Sequence, residues 1–167
     1  TGWNGKVYKA VAGTDGKWSL NVSTPKAGGP FQIWIDGTNR VTLDNVMVGE
    51  VWFTSGQSNM GWSVAEEKNS ENVLKNAKHD NIRLFHVPRQ VSDRKEMKLR
   101  KQASWKSCDA KSVKHFSAMS YYFAVLLQEK LNVPVGIISA SWAGTGIESW
   151  LSYDLQESDS KLRKSIE

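Results

Sequence analysis

The sequence has little of what holds small disulfide-rich or membrane-bound proteins together. Cys108 is the only cysteine among 167 residues, which excludes an intrachain disulfide framework and a metal site built from several cysteines. No run of about 18 apolar residues occurs. Residues 1–5 have neither the charged nor the apolar region of a signal peptide, although a removed signal peptide would leave no trace. We therefore expect no membrane partner, no metal and no cofactor.

Charge of one sign is in modest excess: 22 Lys and Arg residues face 17 Asp and Glu residues, and the net charge is +5. An acidic partner would suit this charge, but the densest basic cluster, residues 94–101, is short. A solvated surface loop explains that cluster better, and no nucleic-acid-binding motif accompanies it. Nucleic-acid binding is therefore an alternative supported by charge alone, and we expect no nucleic-acid partner.

The N-terminal quarter has the alternating pattern of β-strands. Apolar and polar residues alternate on both sides of Asp15-Gly16, a preferred hairpin turn. A second alternating run, residues 31–35, leads to another turn at Asp36-Gly37. We predict that residues 1–44 form an antiparallel β segment that belongs to an accessory β domain.

From residue 45 the pattern becomes that of an α/β domain. Apolar stretches at 46–53, 82–87 and 133–140 alternate with segments of helical character, which predicts a parallel sheet with flanking helices over residues 45–167. The clearest helix follows Ser117, its predicted N-cap, and ends before Pro134. A capping box at Thr145 and Glu148 predicts another helix. Three parallel strands make a narrow sheet, so we expect the chain to be a piece of a larger protein.

Residues 53–60 (FTSGQSNM) carry the most informative motif. A β-prone run breaks at Gly56 and presents the hydroxyl of Ser58, which is how an α/β hydrolase exposes its nucleophile at the carboxyl edge of the sheet. A serine needs a histidine as its base, an acid that orients this histidine, and amide donors for the oxyanion. Ser58 is therefore our predicted catalytic nucleophile.

The three histidines offer no clear base. None of them follows an aspartate by two or three residues, the spacing with which one loop presents an acid and a base. His79 is predicted at the end of a polar helix, His86 at the edge of a strand, and His115 just before the long helix. Because His79 and His86 have ordinary structural explanations, and because the sequence gives none of the three an orienting partner, we predict that the catalytic histidine lies outside this chain.

A glycine-containing turn at residues 139–146 (SASWAGTG) follows the last predicted strand. Its amide at Gly144 could donate to an oxyanion, although a turn that only connects a strand to a helix explains the pattern equally well. Ser139 and Ser141 are rival nucleophiles, but neither has the glycine-flanked turn of Ser58.

Three segments, in order along the chain, resemble a known family: residues 49–60 (GEVWFTSGQSNM), 116–123 (FSAMSYYF) and 134–150 (PVGIISASWAGTGIESW). They resemble the sialate O-acetylesterases, a family of SGNH-type carbohydrate esterases. With the preceding segments DGKWSL and AGGPF, the resemblance covers nearly the whole chain. It implies an SGNH-hydrolase-like α/β fold, here incomplete.

The resemblance also implies an activity, the removal of acetyl groups from sugar hydroxyls. Ser58 would attack the acetyl carbonyl, and the amides of Ser58 and Gly144 would bind the oxyanion. In the family, a later Gln-Gly-Glu segment and an Asp-x-x-His loop complete the site, and both would lie beyond residue 167. The sequence departs from the family at Ala143, where a glycine is usual, and at Gly61, where an acidic residue is common.

Substrate contacts are predicted at Gln57 and Asn59, which flank the nucleophile, and at Trp142 on the glycine-containing loop. Gln57 and Asn59 could instead only hold the turn through hydrogen bonds, and burial is the commoner fate of a tryptophan such as Trp52 or Trp150.

The leading hypothesis is a serine esterase that acts on acetylated sugars, present as a fragment without its histidine and nearly inactive alone. Its expected partners are an acetylated carbohydrate and the remaining C-terminal part of the same polypeptide. A non-catalytic carbohydrate-binding or structural module is the alternative. By analogy with where sugar acetyl esters occur, we expect a periplasmic, secreted or lysosomal location.

Overall fold

The structure, a computed structural model, describes residues 2–92 and 94–165. The chain divides into two compact units, Thr1–Glu50 and Val51–Glu167. This division falls six residues after the predicted domain boundary at 44/45. The assignment of the first unit to an accessory domain, and of the second to an SGNH-type domain, stays a prediction.

The first unit contains one antiparallel pair of strands, β1 (Gly28–Asp36) and β2 (Arg40–Val48). In their register Ile33 lies opposite Leu43 and Ile35 opposite Val41. The Asp36 carboxylate accepts a hydrogen bond from Arg40 Nε at 2.6 Å across the connection. The second predicted hairpin, with its turn after Asp36, is thereby confirmed.

The first predicted hairpin is wrong. The turn at Asp15-Gly16 is present, since the Gly13 amide donates to the Lys17 carbonyl at 2.9 Å. Among the described residues, however, no strand precedes Gly28. Val7 and Val11 are 83% and 93% exposed, so the alternating apolar side chains have no layer to pack against. A two-stranded ladder without such burial is marginal.

The second unit has a sheet of four strands in the order β3-β6-β4-β5. The strands are β3 (Glu50–Gly56), β4 (His79–His86), β5 (Lys106–Cys108) and β6 (Val135–Ser141). Strands β4 and β6 pair in parallel, and β4 and β5 pair antiparallel. Contacts pair residue 51 with 136, 54 with 138 and 56 with 142, so β3 and β6 also run parallel. The predicted α/β fold class is confirmed.

The predicted strand over residues 46–53 is corrected by this topology. Its first part ends β2 at Val48, and its second part begins β3 at Glu50, with Gly49 between them. One continuous apolar run thus contributes to two different sheets. Strand β5 was not predicted from the sequence, because its three residues are too few for a pattern.

The second unit also contains five α-helices and three 3-10 helices within its described residues. They are α1 (Ser58–Gly61), α2 (Ser70–Lys75), α3 (Ala110–Val113), α4 (Ala118–Leu131) and α5 (Tyr153–Ser158), with 3-10 helices at Val64–Glu66, Ile147–Trp150 and Arg163–Ser165. The predicted cap of α4 is confirmed, because the Ser117 hydroxyl accepts the Ser120 amide at 3.2 Å. No helix within the described residues has the length and apolar character that crossing a membrane requires.

The predicted capping box at Thr145 and Glu148 is wrong. The helix there is a 3-10 helix whose N-cap is Gly146, with no side-chain cap. The Thr145 hydroxyl donates instead to the Trp142 carbonyl at 2.8 Å and accepts the indole N–H of Trp150 at 2.9 Å. A side chain that closes its own loop in this way is not available to cap a helix.

The core of the second unit joins α4 to the sheet. Its buried side chains include Ile82, Leu84, Val135 and Ile137 from the central strands, with Tyr121 and Ala124 from α4. A polar bridge supplements this apolar layer, since Thr54 Oγ1 on β3 lies 2.8 Å from Ser120 Oγ on α4. The loops that follow the carboxyl ends of the strands are therefore attached to a sheet that is packed against α4.

Candidate active site

Ser58 stands on a tight turn between β3 and α1. Gly56, the last residue of β3, has φ of +147°, a conformation that side chains other than glycine rarely adopt. A Cβ at this position would lie 2.7 Å from Met60 Cγ. The turn therefore needs glycine both for its backbone and for its space, and it leaves Ser58 exposed as the first residue of α1.

The Ser58 hydroxyl has one described partner, the side-chain carbonyl of Gln57 at 3.3 Å. Within residues 2–92 and 94–165, it has no hydrogen bond with a histidine. The first amides of a helix have no acceptor inside the helix, and the Ser58 amide is one of these in α1. It is thus suited to the predicted role of an oxyanion donor.

The loop after β6 lies beside this turn. The Trp142 amide donates to the Gly56 carbonyl at 3.0 Å, which joins the two loops at the carboxyl edge of adjacent strands. Gly144 is exposed with φ of +77°, and a Cβ there would meet no atom within 4 Å. The loop is thereby positioned near the serine turn, with the Gly144 amide in its open outer part.

A cleft of about 240 Å³ lies between these two loops. It is lined by Ser55, Gly56, Gln57, Thr145, Gly146, Ile147 and Trp150. Gln57, a predicted substrate contact, faces this cleft. Ser58, Gly144 and Trp142 are not among its lining residues, and the Trp142 ring instead lies 5.8 Å from the Arg89 guanidinium.

Asn59, another predicted contact, faces a second cleft of about 280 Å³. Trp62, Glu67 and Tyr122 line the same cleft. These three residues were not predicted as site residues from the sequence. Trp62 could have been identified from the sequence, because it lies four residues after Ser58 and so on the same side of a helix that begins there.

The histidines are occupied elsewhere. His79 is the first residue of β4 and not the end of a helix, as predicted, because α2 already ends at Lys75. Its Nε2 lies 3.1 Å from the Tyr121 hydroxyl. Residues 77–79 contain a buried alanine that leads directly into the sheet, and this tertiary contact ends the helical pattern.

His86 and His115 lie where the sequence predicted them. His86 ends β4, with its ring 6.5 Å from that of Phe116. Partial burial lowers the pKa of His86, and the Arg89 guanidinium lowers it further. His115 lies between α3 and α4, where its charge adds to the hydrogen bonds from Ser63 that hold the pKa of Glu66 below its usual value.

No metal-binding group is found in the described residues, where His, Cys, Asp and Glu side chains do not gather in threes. The free thiol of Cys108 is buried and donates to the Ala77 carbonyl at 3.4 Å. Burial raises the pKa of Cys108 to about 12. A thiol of this kind is a poor nucleophile at neutral pH, so Ser58 is the better candidate.

Comparisons with known proteins give both sequence and structural relatives. The chain is 31% identical over 159 residues to a sialate O-acetylesterase of Rattus norvegicus, 32% over 163 residues to that of Mus musculus, and 31% over 159 residues to that of Homo sapiens. The crystal structure of a carbohydrate acetylesterase from Xanthomonas citri matches with a TM-score of 0.84 and 30% identity. No protein-family model matches the sequence.

These matches cover most of this chain but a minor part of its relatives. They span 88% of the chain and 29 or 30% of each sialate O-acetylesterase, and 89% of the chain and 34% of the crystal structure's chain. The fold and its serine turn thus define a homologue of carbohydrate acetylesterases. Within that class, the chain is homologous to the sialate O-acetylesterase family, and the resemblance predicted from its motifs is confirmed.

Proposed function

We propose that this chain is the nucleophile-bearing part of a serine esterase that removes O-acetyl groups from sugars. The observation that carries the proposal is the exposed hydroxyl of Ser58 on a glycine-dependent strand-to-helix turn, in a homologue of acetylesterases. Ser58 Oγ attacks the acetyl carbonyl carbon while a base takes its proton. The amides of Ser58 and Gly144 stabilise the resulting oxyanion, and water then releases acetate from the acyl-enzyme.

The base is a histidine from polypeptide outside these 167 residues. His79 bonds to Tyr121, His86 packs on Phe116, and His115 lies near Glu66. The matched region is about a third of each relative, so the rest of a polypeptide of that length can supply another histidine. The acetyl-sugar substrate and a C-terminal part of the same polypeptide are therefore the proposed partners.

Strand β3 supports the fragment proposal independently. It lies at the edge of the sheet, yet Val51 and Phe53, which share one face, are 61% and 63% exposed, and Trp52 on the other face is 43% exposed. A strand that is apolar on both faces is typical of the interior of a parallel sheet. The occupant that fits β3 is a strand from the longer polypeptide.

The proposal is tested by aryl acetate hydrolysis, with the 167 residues alone and within their full-length polypeptide. We expect the full-length polypeptide to be active and Ser58→Ala to abolish that activity. Loss of a triad histidine costs about 10⁶-fold in kcat in a serine protease. The 167 residues alone should therefore be no faster than their own Ser58→Ala variant. Ser141→Ala is the matched control, since this serine ends β6, the strand next to β3.

Two results would contradict parts of the proposal. If the 167 residues alone hydrolyse the ester at the full-length rate in a Ser58-dependent manner, one of the three histidines is the base and the fragment proposal is wrong. If Ser58→Ala leaves the full-length activity intact, Ser58 is not the nucleophile. Sugar binding without any esterase activity would favour the alternative, a non-catalytic carbohydrate-binding module.

We also propose a periplasmic, secreted or lysosomal location, which fractionation of the source cells would test.

A further inference from the structure

The second cleft, about 280 Å³ in volume, has no role in the chemistry described above. It is lined by Asn59, Trp62, Glu67, Ala118, Met119 and Tyr122. Asn59 follows Ser58 directly, and Trp62 is at the C-cap of α1. Residues four apart on a helix lie on the same side of it, so Trp62 follows α1 on the side that carries Ser58. Ser58 itself is not among the lining residues, but the cleft borders the short helix that begins with Ser58.

Trp62 offers a fixed aromatic surface to this cleft. Its backbone is held in place, because the Trp62 carbonyl accepts the Ala118 amide at 2.8 Å. Its side chain is nevertheless exposed, and the residue as a whole is 52% exposed. A large aromatic side chain usually buries most of its surface. An indole that is positioned by its backbone but left uncovered beside a cleft is suited to packing against a ligand.

Polar groups face the same cleft from two directions. The Tyr122 hydroxyl donates to Glu67 Oε2 at 2.6 Å, and burial together with this hydrogen bond raises the pKa of Tyr122 to about 12. The phenol thus stays protonated and holds the carboxylate in place. A carboxylate has about four acceptor sites, of which this bond uses one, and the Asn59 amide adds both donors and acceptors. Such groups recognise the hydroxyls of a sugar.

The charge of the lining restricts which sugar fits. Glu67 is the only charged residue among the six that line the cleft. The carboxylate of Glu67 would repel a carboxylate on the ligand, such as that of sialic acid, whereas neutral hydroxyls can donate hydrogen bonds to Glu67. The lining thus favours an uncharged ring.

We infer that the cleft formed by Asn59, Trp62, Glu67 and Tyr122 is a binding subsite for a neutral sugar ring beside Ser58, with the ring stacked on Trp62 and its hydroxyls bonded to Glu67 and Asn59. This inference rests on the proposed function and narrows its substrate class to neutral acetylated saccharides. The acetyl group would project from the ring toward Ser58.

Saturation-transfer NMR titrations of the full-length polypeptide would test the subsite, with deacetylated probes so that binding does not depend on ester chemistry. The neutral probes are xylotetraose, cellotetraose and mannotetraose, and the anionic probe is N-acetylneuraminic acid. We expect a neutral probe to bind with a Kd of about 1 mM, and Trp62→Ala to weaken it at least about tenfold, an effect usual for a stacked tryptophan. Glu67→Gln should also narrow the preference for neutral over anionic sugar.

Trp18→Ala is the matched control, because Trp18 is also 52% exposed and lies in the other unit. It should change the Kd by less than about twofold. Ser58→Ala should leave sugar binding intact, so failure of the esterase proposal and failure of the subsite are separate results. The subsite is refuted if no neutral probe binds at about 10 mM, if Trp62→Ala binds as well as Trp18→Ala, or if N-acetylneuraminic acid binds more tightly than every neutral probe.

Discussion

Replacing Gly56 by alanine adds only one methyl group, but it should substantially lower the unfolding free energy of the second unit. At φ of +147° a residue with a Cβ costs about 1–3 kcal/mol in backbone strain. The added Cβ would also lie 2.7 Å from Met60 Cγ and 3.3 Å from Met60 Cβ. These atoms are at the root of the side chain, so relieving the contact requires α1 to move, at about another 1–3 kcal/mol. The expected loss of unfolding free energy is about 2–5 kcal/mol.

Denaturant unfolding followed by circular dichroism measures this loss, and thermal unfolding should show a Tm lowered by roughly 5–15 °C. Gly61→Ala is the matched control at the other end of α1. A Cβ at Gly61 would meet Ser141 Oγ at an ordinary 3.6 Å, so its effect should stay within about 1 kcal/mol of the wild type. Equal midpoints for Gly56→Ala and Gly61→Ala would refute the strained-turn argument, because only Gly56 has the restricted backbone.

Two further predictions concern buried groups. Ser120→Ala removes a hydroxyl that is fully buried between Thr54 Oγ1 at 2.8 Å and Ser117 Oγ at 3.0 Å, and it should cost about 1–3 kcal/mol of unfolding free energy. The exposed control Ser158→Ala should cost under about 0.5 kcal/mol. Equal unfolding midpoints for the two variants would argue against the hydrogen-bonded bridge between Thr54 and Ser120. Cys108, whose pKa burial raises to about 12, should react with a thiol-specific disulfide reagent at pH 8 about 10³-fold more slowly in the folded protein than in denaturant. Comparable rates in both conditions would show that the thiol is accessible.

The features that depend on local chemistry could be predicted from the sequence. The strand that breaks at Gly56, the exposure of Ser58 and the Ser117 cap of α4 all follow from residues close together in the chain. The turn at Asp15-Gly16 was also local and is present. Its strands are not, because pairing depends on a packed layer that alternation alone does not supply.

The features that were missed depend on contacts between distant residues. Thr145 and Glu148 have the spacing of a capping box, but Thr145 closes a loop with Trp142 and Trp150. In the candidate subsite, Glu67 meets Tyr122 across 55 positions of sequence. No periodicity or spacing rule relates such residues, so the second cleft becomes visible only when α4 is docked against the segment that follows α1.

The hydrogen bonds around α1 explain why an exposed serine can still be a positioned one. At the start of the helix, the Gly56 carbonyl accepts the Trp142 amide at 3.0 Å, and at its end the Trp62 carbonyl accepts the Ala118 amide at 2.8 Å. One bond anchors the turn to the loop after β6, and the other anchors it to the first residue of α4. A four-residue helix held at both ends has little freedom to shift, although its own hydrogen bonds are too few to stabilise it alone. Orientation of Ser58 is therefore provided within this chain, and under the proposed function the group still to be supplied is the base.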